Sequence, residues 1–246
     1  MNLNPILSQL SEWMGVFAVA MLAGLSARFA RRPLQFVYGT RELTYSFSLY
    51  ALILAAAVFL YQFARPALVA QPDASAPLGR LLLALGCLIP FVLALVLRAQ
   101  PVRAIGWGGK TLRPALILGA ALGLLAIFLR GKVFAVLGGL NGAQGAALVY
   151  WLLIALAEET IFRGYLHLRF VSTWGRWPGI LITALLYSLW HLPRLLTQST
   201  TTADALLAVG LAFVQGVVLS YLMDRTGNVV APGIYRGISE WLAVLA

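Results

Sequence analysis

The sequence predicts an all-α fold, a polytopic membrane bundle of about eight transmembrane helices. Of the 246 residues, 61% are hydrophobic and only 11% are charged. A soluble domain of this length would carry about a quarter charged residues. The mean hydropathy of +0.87 also favours a membrane protein. These values exclude the soluble classes, including proteins that bind nucleic acid, in spite of the net charge of +10.

The predicted helices follow from the apolar runs, because a membrane helix needs about 20 mostly apolar residues. We expect one integral membrane domain over residues 1–246, with no internal repeat. The predicted spans are 13–30, 45–64, 79–97, 114–130, 146–166, 177–196, 203–223 and 228–246. The glycine-rich stretch 131–145 predicts a re-entrant or interfacial turn, and 197–202 predicts an exposed loop. The single cysteine, Cys87, is expected to be a small core residue.

The basic residues of the loops predict the orientation of the bundle. Twelve Lys and Arg residues follow the odd-numbered predicted helices, and five follow the even-numbered ones or precede them. The twelve are Arg28, Arg31, Arg32, Arg41, Arg98, Arg103, Lys110, Arg113, Arg163, Arg169, Arg176 and Arg225; the five are Arg65, Arg80, Arg130, Lys132 and Arg194. Since cytoplasmic loops carry such an excess, both termini are predicted to face away from the cytoplasm. In a bacterium this membrane would be the plasma (inner) membrane.

Two adjacent carboxylates, Glu158 and Glu159, stand at the end of the apolar run 146–156. The chain has only 8 acidic residues, and a charge at membrane depth is costly and commonly functional. Glu159 and Arg163 are four residues apart, in the order that favours an ion pair on a helix. Glu158 points about 100° away from Glu159 and is expected to act on a group other than Arg163. A buried carboxylate of this kind suits a general base.

Further polar residues fall at similar depths on later helices. With a rise of about 1.5 Å per residue, Glu158 and Arg236 lie ~12 Å from the cytoplasmic helix ends, Glu240 ~18 Å and His191 ~21 Å. The common depth predicts a water-filled internal cavity. Glu158, His191 and Glu240 could supply three zinc ligands, but the chain has no His-Glu-x-x-His motif, and we predict no metal or cofactor. The other histidine, His167, is expected at the cytoplasmic interface.

These residues form motifs with a known resemblance. Glu-Glu-x-x-x-Arg at 158–163, followed by Tyr-x-x-x-His at 187–191, resembles the first two motifs of the CPBP intramembrane proteases. This family includes type II CAAX prenyl endopeptidases and bacteriocin self-immunity proteins. The resemblance covers residues 146–246 and implies that Glu158 and His191 activate a water for peptide hydrolysis. It gives supporting roles to Glu159, Arg163 and Tyr187.

The third motif of that family departs from its usual form in this chain. The family places a histidine, and an asparagine four residues later, after an Ala-Pro pair, where they hold the oxyanion. Counted from Pro232, Arg236 and Glu240 take these places here. A guanidinium is a good oxyanion donor, and Glu240 could hold it across one helical turn. The same two residues could instead form a purely structural ion pair, and both interpretations stay open.

The resemblance implies that the protein is an intramembrane endopeptidase that hydrolyses a peptide bond at or within the membrane. Its partners would be a membrane-associated protein or peptide substrate and the lipid bilayer. CAAX processing and a bacterial self-immunity role are equally compatible with the motifs. One alternative is a non-catalytic CPBP-like scaffold or immunity protein, which the altered third motif favours. Another is a proton-coupled transporter, since carboxylates and histidine inside the membrane also form proton relays.

Overall fold

The computed structural model describes residues 4–26, 34–64, 77–198 and 201–245, and within these ranges every regular element is a helix. The α-helices are α1 (Asn4–Ala23), α2 (Gly39–Phe59), α3 (Leu78–Leu97), α4 (Gly109–Leu129), α5 (Val133–Leu137), α6 (Gly142–Glu159), α7 (Leu168–Trp174), α8 (Arg176–Gln198), α9 (Thr202–Thr226) and α10 (Val230–Trp241). Two π-helical segments, Leu60–Ala64 and Thr160–His167, extend α2 and join α6 to α7. Short 3₁₀ turns occur at Val102–Ile105 and Leu242–Val244.

Seven helices in the described part of the chain are long and apolar enough to cross a membrane. They are Ile6–Ala23, Gly39–Phe63, Leu78–Leu97, Val102–Leu129, Gly142–Trp174, Arg176–Leu196 and Thr202–Thr226. The predicted polytopic helical bundle is therefore confirmed, and the protein is an integral, multi-pass membrane protein. In the described part of the eighth predicted segment, 228–246, the 12-residue helix α10 is followed by the 3₁₀ turn Leu242–Val244. At 1.5 Å per residue α10 is ~18 Å long, shorter than the ~30 Å hydrocarbon core.

Two helix boundaries differ from the prediction in ways that matter for the charges. The first helix ends at Ala23 instead of residue 30, and the predicted loop cations Arg28, Arg31, Arg32 and Arg65 lie outside the described residues. The helix predicted to end at 166 continues to Trp174, where Gly175 with a φ of 86° stops it. The charged residues between 163 and 169 therefore belong to a helix and not to a loop.

Helix α10 packs between α4 and α6 through glycines spaced four residues apart. Gly119 and Gly123 of α4 lie against α10, and Gly233 and Gly237 of α10 lie against α6. A Cβ atom at Gly237 would lie 2.9 Å from the Cα of Leu152. Small residues at this spacing let membrane helices approach closely. The close approach presses the polar face of α10 against the C-terminal end of α6.

The turn before α10 is fixed by Asn228. Its Nδ2 donates to the carbonyl oxygen of Gly108 at 2.9 Å and to Oγ1 of Thr111 at 3.1 Å. Its Oδ1 accepts from the backbone N–H of Val230 at 3.0 Å, which satisfies a donor of the first helical turn. The start of α10 is thereby tied to the start of α4, and the glycine contacts set the rest of its path.

Candidate active site

The acidic pair lies where α6 passes into the π-helix Thr160–His167. Glu158 is 4% exposed and Glu159 is fully buried. The π-helix packs against the 3₁₀ turn before α4, and a Cβ atom at Gly164 would lie only 2.1 Å from the carbonyl oxygen of Ile105. Glycine is therefore required at this point of the helix. Single π-helical turns inside α-helices occur frequently at functional sites.

Arg163 forms the ion pair that its spacing predicts. Its Nη1 donates to Oε1 of Glu159 at 3.0 Å, and both side chains are fully buried. Its Nη2 donates to the carbonyl oxygen of Gly216 at 3.2 Å. The ring of Tyr187 lies 4.1 Å below the guanidinium carbon, in the position of a cation–π contact. Arg163 thus joins α6 to α8 and α9.

Arg236 is fully buried and contacts all three glutamates of the site. Its Nη2 donates to Oε2 of Glu158, and its Nη1 donates to Oε1 of Glu159 at 3.2 Å. Its Nε lies 3.5 Å from Oε1 of Glu240, so the predicted contact across one helical turn is present. Glu158 avoids Arg163 as expected, and its ion-pair partner is Arg236.

Arg80 completes this group of charges from α3. Its Nη1 lies 3.6 Å from Oε2 of Glu240, and its guanidinium carbon lies 4.7 Å from the ring centre of Trp151. Glu240 therefore connects Arg236 on α10 with Arg80 near the start of α3. The sequence analysis counted Arg80 among the loop cations, although it stands at the start of the predicted span 79–97, and no pattern around it indicated a place in the site.

A small chamber brings Glu158 and His191 together. Its volume of about 10 Å³ is close to the ~10–15 Å³ that the centre of one water molecule needs. The residues that line it are Tyr61, Arg80, Leu83, Glu158, Trp190, His191 and Arg194. The ring of His191 lies 4.6 Å from that of Tyr187, edge to face, and Tyr187 donates through its hydroxyl to Oε1 of Gln215 at 3.2 Å. The chamber can hold one water beside a carboxylate and an imidazole.

A larger pocket of about 240 Å³ adjoins the chamber, since His191 and Arg194 line both. Its lining residues lie between the start and the middle of α1 and α9 and near the ends of α4, α8 and α10. They are Gln9, Trp13, Arg130, His191, Arg194, Leu195, Ala208, Leu211, Ala212, Gln215, Ser239, Glu240 and Ala243. Arg236 lines neither cavity. His191 is therefore accessible from both cavities, whereas Arg236 is accessible from neither.

Arg194 lines the site, although the sequence analysis counted it among the loop cations near the end of the predicted span 177–196. It follows His191 by three residues on α8, and residues three apart share one face of a helix. The spacing was thus a signal that could have placed Arg194 beside His191.

Two residues near the end of the long helix are buried inside the bundle. His167, expected at the cytoplasmic interface, is only 1% exposed. Arg169, counted among the cytoplasmic loop cations, is fully buried and does not lie in a loop. Its Nε donates to Oε2 of Glu42 at 2.8 Å, and its Nη1 donates to the carbonyl oxygen of Ala104 at 3.0 Å. The reason is the same for both residues, because the helix continues beyond residue 166 and packs against α2 and α8.

The described residues contain no group of three or more His, Cys, Asp and Glu side chains that could hold a metal ion. Glu158, His191 and Glu240, the three ligands that a zinc ion would have needed, are therefore not gathered into a metal site. The structure instead presents a chamber that is lined by the carboxylate of Glu158 and the imidazole of His191.

Comparison with known families supports the resemblance that the motifs predict. Residues 141–242 match the family model described as Type II CAAX prenyl endopeptidase Rce1-like. The match confirms the predicted similarity to CPBP-type membrane proteases over this segment, which holds Glu158, His191 and Arg236. Arg80 lies outside it. Neither the curated proteins nor the solved structures contain a match to the chain.

Proposed function

We propose that this protein is an intramembrane endopeptidase that hydrolyses a peptide bond at or within the membrane. The matched family is one of membrane proteases, which supports peptide hydrolysis as the class of reaction. The observation that carries the finer proposal is the chamber that Glu158 and His191 share. A carboxylate and an imidazole around room for one water are the groups that general-base hydrolysis requires.

Glu158 acts as the general base in this proposal. Arg236 holds its Oε2, which leaves Oε1 as the oxygen that can accept a proton from water in the chamber. The water oxygen forms a bond to the peptide carbonyl carbon while one of its protons passes to Glu158, and the carbonyl π electrons move onto the carbonyl oxygen. The C=O bond then re-forms as the C–N bond breaks, and the same proton passes from Glu158 to the leaving amine. His191 borders both cavities and orients the water towards a peptide in the larger pocket.

Arg236 has a positioning role in this mechanism, because it fixes the orientation of Glu158. The oxyanion role that the resemblance implies requires Arg236 to turn from one of its three carboxylates towards the chamber. The two roles predict different results for Glu240. If Arg236 is an oxyanion donor that Glu240 holds in place, loss of Glu240 lowers turnover. If Arg236 only holds Glu158, loss of Glu240 has little effect on turnover.

The proposal is tested by comparing variants in lipid nanodiscs, which expose both faces of the membrane to added peptide. Two reporter peptides share a C-terminal CAAX sequence, and only one of them carries a farnesyl group. We expect Glu158→Gln and His191→Ala to lower cleavage by about 10²–10⁴-fold, as for other positioned acid–base groups. Arg113→Gln is the matched control, since Arg113 is exposed near the start of α4.

Four results would decide the matter. Cleavage by Glu158→Gln at the wild-type rate contradicts the general-base mechanism. Cleavage of both reporters by the wild type shows that a prenyl group is not required, while cleavage of the farnesylated peptide alone assigns CAAX processing to this protein. Cleavage of neither reporter contradicts CAAX endopeptidase activity.

A second candidate function is a non-catalytic scaffold or immunity protein. The observation in its favour is the complete burial of Arg236 among three carboxylates, which is also what a purely structural cluster requires. In that case Glu158→Gln would keep the cellular function of the protein. Loss of that function in a well-folded Glu158→Gln variant would contradict the scaffold.

A further inference from the structure

Contacts between helices identify the end of the bundle that holds the larger pocket. Arg130, directly after α4, pairs with Glu12 of α1 and donates to the carbonyl oxygen of Ser239 on α10 at 3.1 Å. Lys132 donates to the carbonyl oxygen of Leu245 at 2.6 Å. Arg130 and Ser239 both line the larger pocket. These five residues therefore mark one end of the bundle, which we call the pocket end.

The opposite end of the bundle is fixed by a second set of contacts. Asn228, which follows α9, donates to the carbonyl oxygen of Gly108, directly before α4, at 2.9 Å. A Cβ atom at Gly24, directly after α1, would lie 2.9 Å from Nε of Arg225 near the end of α9. The start of α4 and the ends of α1 and α9 therefore meet at the end away from the pocket.

The exposed cations of the described residues all lie at this opposite end. They are Arg41, Arg103, Lys110 and Arg113. The last three flank the start of α4, and Arg41 is next to Glu42, which pairs with Arg98 directly after α3. The Lys and Arg residues described at the pocket end are partly buried. Since cytoplasmic loops carry the excess of Lys and Arg, the pocket end is assigned to the side away from the cytoplasm.

His191 lies nearer to the pocket end than to the cytoplasmic end. It is seven residues, or ~10 Å, before the end of α8 at Gln198, and 15 residues, or ~22 Å, after its start at Arg176. The larger pocket extends from His191 to Ala243, which is exposed, and the side chain of Glu240 on its wall is 25% exposed. A charged side chain on the wall favours water over lipid in the pocket.

The larger pocket has a lining that fits a polar peptide segment better than a hydrocarbon chain. More than half of its lining residues have polar side chains, and the pocket holds about 240 Å³. The polar residues are Gln9, Arg130, His191, Arg194, Gln215, Ser239 and Glu240. Amide, hydroxyl and charged groups of this kind can exchange hydrogen bonds with a peptide backbone, and a hydrocarbon chain would leave them without that exchange.

We propose that the substrate enters through this pocket from the side of the membrane away from the cytoplasm, and that it is a polar peptide segment located on that side. The inference rests on the proposed function, because it assumes that the larger pocket is the substrate cleft. It names the substrate class as peptides, or chain segments of exported or membrane proteins, that lie outside the cytoplasm close to the membrane surface.

The first test measures access to the pocket and does not depend on turnover. Cys87→Ser/Ala243→Cys carries one cysteine at the exposed rim of the pocket, and Cys87→Ser/Arg113→Cys carries one at the opposite end. A membrane-impermeant maleimide is added to spheroplasts and to inverted membrane vesicles from the same cells. We expect Ala243→Cys to react at least tenfold faster in spheroplasts, and Arg113→Cys at least tenfold faster in inverted vesicles.

The second test measures cleavage from one side at a time. The probe is a mixture of membrane-impermeant heptapeptides with a fluorophore and a quencher at their ends and random polar residues between them. The rate in membranes with Glu158→Gln is subtracted from the rate with the wild type, which removes the contribution of other proteases. We expect the Glu158-dependent rate to be at least tenfold higher in spheroplasts than in inverted vesicles. Arg113→Gln, at an exposed arginine of the opposite end, should keep this ratio.

The inference and the proposed function fail in different ways. Labelling of Ala243→Cys that is faster in inverted vesicles, equal in both preparations or absent from both would overturn the inference. Glu158-dependent cleavage that is faster in inverted vesicles would also overturn it, and would leave the peptidase standing. The expected labelling without Glu158-dependent cleavage in either preparation would refute the peptidase activity towards such peptides, and with it the substrate class, while the side on which the pocket opens would stand.

Discussion

Replacement of Arg236 by leucine should destabilise the protein by about 3–5 kcal/mol, the usual effect of removing one partner from a buried ion pair. The structure identifies the carboxylate that would be left alone. Glu159 would keep Arg163 at 3.0 Å, and Glu240 would keep Arg80 at 3.6 Å. Among the described residues, the ion-pair partner of Glu158 within 4 Å is Arg236. The destabilisation of Arg236→Leu should therefore come mainly from Glu158.

A second substitution separates these contributions. Arg236→Leu/Glu158→Gln should recover most of the lost free energy of unfolding, because it removes the stranded charge. Arg236→Leu/Glu240→Leu should recover little, because Glu240 already has Arg80 as a partner, and the loss of Glu240 removes the ion pair that Arg80 forms among the described residues. The assay is reversible unfolding of the purified protein in mixed micelles.

Arg113→Leu serves as the control for loss of an exposed arginine, and it should change the free energy of unfolding by less than about 1 kcal/mol. Equal recovery by the two double variants would refute the assignment of the stranded charge to Glu158. A cost of Arg236→Leu no greater than that of the control would refute the buried cluster itself. In addition, wild-type cleavage by a stable Arg236→Leu/Glu240→Leu variant would show that Arg236 has no part in the chemistry.

Three further predictions concern orientation and packing. In a Cys87→Ser background, Lys110→Cys and Lys132→Cys should react with an impermeant maleimide from opposite sides of the membrane, and the second from the side away from the cytoplasm. Labelling of both from the same side would contradict the order of the helices. Gly237→Ala should lower the free energy of unfolding by about 1–3 kcal/mol, because its Cβ would press on the backbone of Leu152. Gly86→Ala is the control and should have almost no effect, since there is open space around Gly86. Similar losses of stability in the two variants would refute the glycine contact. Tyr187→Phe should lower the free energy of unfolding by about 0.5–1.5 kcal/mol, since it loses only the hydrogen bond to Gln215. Tyr187→Leu should lower it further, because the ring beside Arg163 is lost as well. Equal stability of the two variants would show that the ring contact contributes nothing.

Local spacing was sufficient to predict the contacts that lie within one helix. The pair Glu159–Arg163 and the approach of Glu240 to Arg236 both follow from a separation of four residues, and both are present. Hydropathy likewise located the membrane-spanning helices, because an apolar run of about 20 residues has few alternatives to a membrane helix.

Contacts between distant helices could not be read from spacing. Nothing in the sequence around Arg80 indicates that α3 would bring it to Glu240, 160 positions further along the chain. The burial of Arg169 has the same origin, since its partner Glu42 lies on α2. The count of loop cations treated both arginines as solvent-facing charges, and the packing of separate helices made each of them part of a buried ion pair.

The π-helix Thr160–His167 separates two groups of charges that lie on one continuous helix. Glu158 and Glu159 precede it and face Arg236, whereas Arg169 follows it and faces Glu42. Each residue of a helix turns the chain by about 100°, so deleting one residue from the wide segment would rotate everything after it relative to everything before it. Such a deletion would break the contacts of α7 with α2 and α8, whereas Glu158 and Glu159, which precede the segment, would keep their positions on α6. The segment therefore acts as a spacer that lets the two ends of the helix be matched to their partners independently.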